Sequence, residues 1–427
     1  MVLDPISSDM FTGAVRAFHG ISDGFVVLHC PSGCYAGMFY LKALSDQSDV
    51  RMAFSCMHAR HLVHGADYLA LEALKRVYEK FKPSFIALID SAGPAMLGDD
   101  LDSVVWRAEK EGVKCPVKYF CGAGFYSSMQ SGYEDSLESL VDFMRRPEQT
   151  EERSINILGF HTDEPRWSQD LTEIRRMLTT AGLRINSVLT ASRFEEIVQA
   201  PRASLNVVIG GEGLNIAKRM EEEFSTPYIV VQYPYGLNGS EEFLRDICGE
   251  LNVKIEDENI EKERRKARGI VEKAVFYLQG IYGLTCSVVG DSCKAPSLAA
   301  FLNAELGLAV DVLAIASKNK YCDKTLETIT CADEVMIEPD RFDLHNRLER
   351  GDTQLLFGST FEKGISHEID VPLIRFSFPE LDHLSLMSVP FAGFNGTATW
   401  IEEIINSLIG MYKENPLLGI QEDRGGV

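Results

Sequence analysis

Two thiols close the apolar run Val26-Val27-Leu28-His29-Cys30-Pro31-Ser32-Gly33-Cys34. A β-branched stretch that stops in a Cys/Pro/Gly turn predicts a strand whose carboxyl end presents sulfur. Parallel sheets take their ligands at that end. Pro31 stiffens the turn, and Gly33 lets the backbone come close to whatever the thiols hold. Thiolates are soft ligands, so the pattern points to iron–sulfur chemistry. The same residues also allow two buried structural cysteines, a common fate for free Cys.

Further candidates lie downstream. Cys56 is followed by His58, His61 and His64, whose spacing of three stacks side chains on one helical face. Such a trio serves either a metal site or a solvated helix start. The apolar run Phe85–Ile89 breaks into Asp90-Ser91-Ala92-Gly93, and Asp99-Asp100 follow at a second strand-to-helix turn. Those two carboxylates read as helix N-terminal capping groups. Gly210-Gly211-Glu212-Gly213 follows a strand but lacks the GxGxxG spacing of dinucleotide sites. There is neither a phosphate-binding GxxxxGK[ST] nor a GxSxG nucleophile turn.

These residues need a scaffold of alternating strands and helices, and the chain supplies one throughout. Strands are expected at Phe25–Leu28, Phe85–Ile89, Cys115–Phe120, Ile155–Gly159, Asn206–Ile209 and Tyr228–Gln232, then Thr285–Gly290, Val310–Ile315, Glu334–Ile337, Leu355–Phe357 and Leu373–Phe376. Helical stretches are expected at Leu69–Phe81, Gly132–Met144, Leu171–Ala181, Ser297–Leu306 and Trp400–Met411. That alternation predicts an α/β chain of three tandem Rossmann-like domains with mainly parallel sheets. The charged segment Arg145–Arg153 reads as a linker, and Ile255–Arg268 as a solvated helix or linker. The expected units are residues 1–150, 151–262 and 263–427. At roughly 150 residues per domain, 427 residues fit three units.

A net charge of −21 argues against nucleic acid and against an anionic membrane surface as partners. No run approaches the roughly 18 apolar residues of a membrane span. Met1-Val2-Leu3-Asp4-Pro5 lacks a basic signal region, and the ten cysteines are irregularly spaced. The expected setting is a reducing cytoplasm rather than a secreted disulfide scaffold.

The order of these pieces resembles the nitrogenase component 1 family. That family includes both chains of dinitrogenase, their cofactor-assembly scaffolds, and the dark-operative protochlorophyllide and chlorophyllide reductases. Its His-Gly-x-x-Gly-Cys turn appears as His29–Cys34, and its Ile-Gly-Asp-Asp turn as Leu97-Gly98-Asp99-Asp100. Tyr126–Tyr133 is similar to its Ser-x-x-x-Gly-Tyr/Trp helix opening, and Pro234-Tyr235-Gly236 to its Pro-x-Gly. Val371–Pro379, then Asp382, then Gly393-Phe394-Asn395-Gly396, look very like the β chain of dinitrogenase.

The resemblance implies a β-type subunit of a nitrogenase-like reductase. It would pair with an α-type homologue, with α2β2 expected, and receive single electrons from an ATP-dependent iron–sulfur reductase. An intersubunit cluster, 4Fe–4S or a larger variant, would lie between first domains. Cys34 matches the first cluster cysteine and is the expected metal ligand. The second falls near Met52, with Cys56 displaced from it, and the third falls at Ala92. The cofactor-binding candidates are therefore Cys34, Cys30 and Cys56, with Cys121 as a further thiol. Glu263–Gly269 lacks the cysteine that an α-type chain uses for its catalytic cofactor, and His383 reads as a turn residue. A cofactor-assembly scaffold and a cluster-free structural or regulatory homologue remain as alternatives.

Overall fold

The computed structural model describes residues 9–44, 50–58, 60–61 and 65–411. Three sheets carry the chain, and every strand pair in them is parallel. The first holds β1 (Gly24–His29), β2 (Met52–Phe54), β3 (Phe85–Asp90) and β4 (Val117–Phe120), in the order β2-β1-β3-β4. The second holds β5 (Glu151–Leu158), β6 (Arg184–Val188), β7 (Ala203–Ile209) and β8 (Tyr228–Val231), in the order β6-β5-β7-β8. The third holds β9 (Thr285–Asp291), β10 (Ala309–Ser317), β11 (Ala332–Ile337), β12 (Leu355–Gly358) and β13 (Leu373–Arg375), in the order β11-β10-β9-β12-β13. The expected α/β architecture with parallel sheets is what the chain adopts.

The central strands β1 and β3 are buried at every position, and β7 nearly so. Helices cover both faces, so these strands read as apolar runs without alternation. In each sheet the strand order reverses once: between β1 and β3, between β5 and β7, and between β9 and β12. A crevice opens beyond the strand ends at each reversal, and ligands bind there in folds of this class.

Several elements depart from the sequence expectation. The short β2 and the polar β6 were not foreseen, because their pairing with β1 and β5 supplies what their own composition lacks. β5 starts at Glu151, inside the charged stretch expected to be a linker. The charge run becomes a helix, Asp257–Val271, that buries only Ile260 and Ala267. The closing helix begins earlier than expected, at Gly393, and packs against the helices Trp167–Thr180, Gly236–Glu250 and Asp257–Val271. Its Trp400 is fully buried, stacks on Phe391 at 4.0 Å and donates its indole N–H to the Phe391 carbonyl. The C-terminal segment thus reaches back over the second sheet's helices.

The helix Met10–His19 gave no strong sequence signal, yet every residue from Phe11 to His19 is buried. Asp9 caps it by accepting the Thr12 N–H at 3.1 Å. It crosses the helix Met129–Glu138 at a glycine pair. A Cβ on Gly13 would lie 1.9 Å from the Met129 carbonyl oxygen, and one on Gly132 would lie 2.2 Å from that of Met10. Backbone meets backbone here, so no side chain can yield. We expect Gly132→Ala to force the helices apart and to lower the denaturation midpoint by the equivalent of about 1–3 kcal/mol or more, read by urea titration.

Candidate functional site

Thiols gather along the carboxyl edge of the first sheet. Cys30 follows β1 directly, Cys121 follows β4 directly, and Cys56 lies just past β2. Only β3 lacks a following thiol, since Ser91 and Ala92 stand there. Cys34 sits in the first turn of the helix Ser32–Leu44 and is exposed, whereas Cys30 is fully buried in the core. Cys56 is exposed and held in the left-handed region at φ 59°. Such a conformation is uncommon for a side chain other than Gly, Asn or Asp. Met52, the position to which the sequence match assigns the second ligand, is buried inside β2. Cys56, past the end of that strand, is the thiol that reaches the edge.

One side chain fixes these loops together. His29 ends β1 with its ring fully buried. Its Nδ1 pairs with the Ser55 hydroxyl at 2.8 Å and its Nε2 with the Asp99 carboxylate at 3.0 Å. Burial pushes its pKa down, with Asp99 opposing, so the ring is held between partners rather than exposed as a base. The turn before Cys34, the loop before Cys56 and the turn after the helix Ala92–Leu97 are thereby set in one register. Asp90, at the end of β3, accepts the Gly122 N–H at 2.7 Å and the Tyr119 hydroxyl at 3.1 Å, which places the Cys121 loop.

Burial raises the pKa of both Cys30 and Cys34. Among the described residues the three sulfurs of Cys30, Cys34 and Cys56 do not converge as closely as the ligands of one ion. Large apolar side chains stand exposed on the segments that follow these strands: Phe39 and Tyr40 after β1, Met96 and Leu97 after β3, Phe125 and Tyr126 after β4.

The other candidates resolve differently. Asp100 caps the helix Leu101–Lys110 through the Ser103 N–H, as the sequence predicts. Asp99 instead binds His29 and the Ala66 N–H. His58 donates its backbone N–H to the His61 ring, and His64 lies outside the described residues. His383 pairs with Glu380 in a turn. The Gly210–Gly213 turn has a packing role. Gly210 and Gly211 adopt positive φ where a Cβ would strike Cys293 and Tyr321, so the turn seats the second sheet against the third.

Sequence reasoning missed the most highly charged interior site. Arg16, from the Met10–His19 helix, donates through Nε and Nη2 to Asp163 at 2.9–3.1 Å and to Glu164 at 3.0 Å. Lys42 reaches Asp163 at 2.5 Å, and Lys294 reaches Glu164 at 3.1 Å. All five side chains are more than nine-tenths buried. They come from the helices on either side of β1, the loop after β5, and the loop after β9. Burial alone would raise the Asp163 pKa, but Arg16 and Lys42 hold it far below the usual carboxylate range. Beside them, burial raises Glu212 to about 8 and Glu134 to about 7, and lowers His161 to about 3. No local motif marks these residues, because their partners lie up to 148 positions away in sequence. A cavity of about 270 Å³ opens next to this network at the β9/β12 reversal, lined by Arg16, Asp291, Ser317, Ser359 and Ser377 among others.

Residues 10–409 match the family model described as nitrogenase component 1 type oxidoreductase. The nitrogenase molybdenum-iron protein beta chain of Methanococcus maripaludis is 22% identical over 451 residues, covering 97% of this chain and 96% of the relative. A light-independent protochlorophyllide reductase subunit of a Nostoc species is 25% identical over 429 residues, covering 96% of this chain and 83% of the relative. The solved structure of nitrogenase Cp1 at pH 6.5 superposes with a TM-score of 0.85 at 20% identity, covering 99% of this chain and 97% of the other. Among the described residues no helix is long and apolar enough to cross a membrane.

Two outcomes follow from the site. Iodoacetamide under native reducing conditions should modify Cys34 and Cys56 and spare Cys30, as read by peptide mass spectrometry. The pH dependence of stability should carry the signature of Glu134. Its carboxyl keeps a proton in the folded chain up to about pH 7, whereas the unfolded chain loses it near 4.5. The folded state therefore holds the extra proton between those values, and its stability falls as pH rises through that window, by about 3 kcal/mol from this group. In Glu134→Gln the loss of stability between pH 5 and pH 7, followed by urea titration, should be visibly smaller.

Proposed function

The chain belongs to the nitrogenase component 1 type oxidoreductase family, and we propose that it is the β-type subunit of a nitrogenase-like reductase, contributing Cys34 to an iron–sulfur cluster shared with an α-type partner. The nitrogenase beta chain and the protochlorophyllide reductase subunit named above support the β-type assignment. So does Glu263–Gly269, which has no cysteine where the resemblance places the α-type cofactor ligand.

The carrying observation is the exposure of Cys34 at a helix start, on a strand-end edge whose following segments expose aromatic and aliphatic side chains. Free monomers seldom expose such patches, whereas subunit contacts use them. Without a cluster, burial and the Asp9 charge favour the thiol form of Cys34, so binding a cluster would displace that proton. When bound, the cluster would supply single-electron transfer at low potential, fed by a separate ATP-dependent iron–sulfur reductase.

The donor set fits a shared cluster rather than one held by this chain alone. Cys34 and Cys56 reach the edge, Cys30 lines the wall behind them, and the place after β3 offers Ser91 and Ala92 without sulfur. Within this reading the residues of the chain act by position. His29 holds the Cys34 and Cys56 loops in register, and the apolar rim excludes water once the partner is seated. An α2β2 assembly follows from the same reading.

Iron and acid-labile sulfide, with low-temperature EPR, test it on anaerobically purified chain alone and together with its partner subunit. About four irons per subunit pair, lost in Cys34→Ala, are expected. Iron that is released to an acceptor protein instead of supporting substrate reduction would favour an assembly scaffold. No iron in either preparation would overturn the electron-transfer reading and leave a structural homologue.

A further inference from the structure

A second donor set lies in the interior, apart from the thiol edge. Glu212 comes from the glycine turn after β7, Asp291 ends β9, and Cys293 follows it. One carboxylate oxygen from each acid and the Cys293 sulfur lie within 4.8 Å of one another, the only such group of three among the described residues. A tetrahedral ion with bonds of about 2.0–2.3 Å spaces its ligand atoms roughly 3.5 Å apart, so the donors need to close by only about 1 Å. Their backbones are held firmly. Asp291 accepts the N–H groups of Cys293 and Lys294, both at 2.9 Å, and a Cβ on Gly210 would lie 2.5 Å from the Cys293 sulfur.

Two further buried polar groups stand near this donor set, each with one polar atom left without a hydrogen bond. The Tyr235 hydroxyl is buried with no hydrogen bond, in surroundings that include Asp170, Glu164, Asp291 and Cys293. His161 is buried, binds Glu212 through Nε2 and leaves Nδ1 unpaired. Buried polar atoms are rarely left unsatisfied, and here they border a mixed oxygen and sulfur donor set. The neighbouring cations, Arg16 and Lys294, are taken up by Asp163 and Glu164.

We propose that Glu212, Asp291 and Cys293 bind a single divalent ion of borderline softness, of the zinc class, with His161 orienting Glu212 and a water completing the shell. Two carboxylates and one thiolate suit such an ion better than they suit calcium or magnesium. The ion has a path, because Asp291 also lines the cavity of about 270 Å³ at the β9/β12 reversal.

Cobalt(II) is the probe, titrated into chelator-treated full-length chain, with zinc(II) displacement as the check. Wild type and Cys34→Ala should both take up about one cobalt per chain, with a thiolate-to-cobalt charge-transfer band and tetrahedral d–d intensity. Uptake should tighten as pH rises, because thiolate and carboxylate ligands bind deprotonated. Cys293→Ser should lose the band while its circular dichroism and melting stay near wild type, and His161→Gln should weaken binding about 10–100-fold. A band that survives in Cys293→Ser but vanishes in Cys34→Ala would place the ion at the surface thiols and overturn the proposal. So would absence of stoichiometric uptake by the wild-type chain. Neither result bears on the intersubunit cluster, which depends on other residues.

Discussion

Five buried charges hold the three sheets in one arrangement. Arg16 and Lys42 come from the helices on either side of β1, Asp163 and Glu164 from the loop after β5, and Lys294 from the loop after β9. An isolated charge costs several kcal/mol to bury, and removing one partner of a buried pair leaves that cost uncompensated. Each sheet can bury its charges only if the other two deliver theirs. The network therefore acts less as a source of net stability than as a condition on relative placement. Gly13 and Gly132 seat the Met10–His19 helix, which carries Arg16, directly on the Met129–Glu138 helix. Phe378 closes the far side, with its ring 4.0 Å from the Arg16 guanidinium carbon.

That placement creates two chemically different regions. The first sheet's carboxyl edge is open, apolar and rich in sulfur, suited to a group completed by another chain. The junction of the three sheets is enclosed and densely ionised, so its acid–base properties depart from those of free side chains. Burial raises Glu134 and Glu212 and lowers His161 there, while nearby cations hold Asp163 ionised. A short path through the Met10–His19 helix links the regions, because Asp9 at its start lies against the Cys34 edge and Arg16 near its end lies in the junction.

Much of the scaffold was legible in the amino-acid order. Central strands such as Phe85–Asp90 are apolar along their length, and that alone marks them as buried between helix layers. The His29–Cys34 turn marked the sulfur-bearing edge, and Asp100 followed the local rule for a helix cap. β2 and β6 were not legible, because pairing with β1 and β5 rather than their own composition makes them regular.

The amino-acid order was enough for the α/β plan with parallel sheets and for the family. These depend on local pattern: apolar runs, turn residues and short motifs read along the chain. Folding in three dimensions was needed to bury Cys30 in the core while Cys34 and Cys56 stay exposed. Folding also brought Arg16 to Asp163 and Glu212 to Cys293. A carboxylate or guanidinium in a sequence looks like any solvated charge. Its burial, its partner and its proton affinity exist only once distant segments have closed around it.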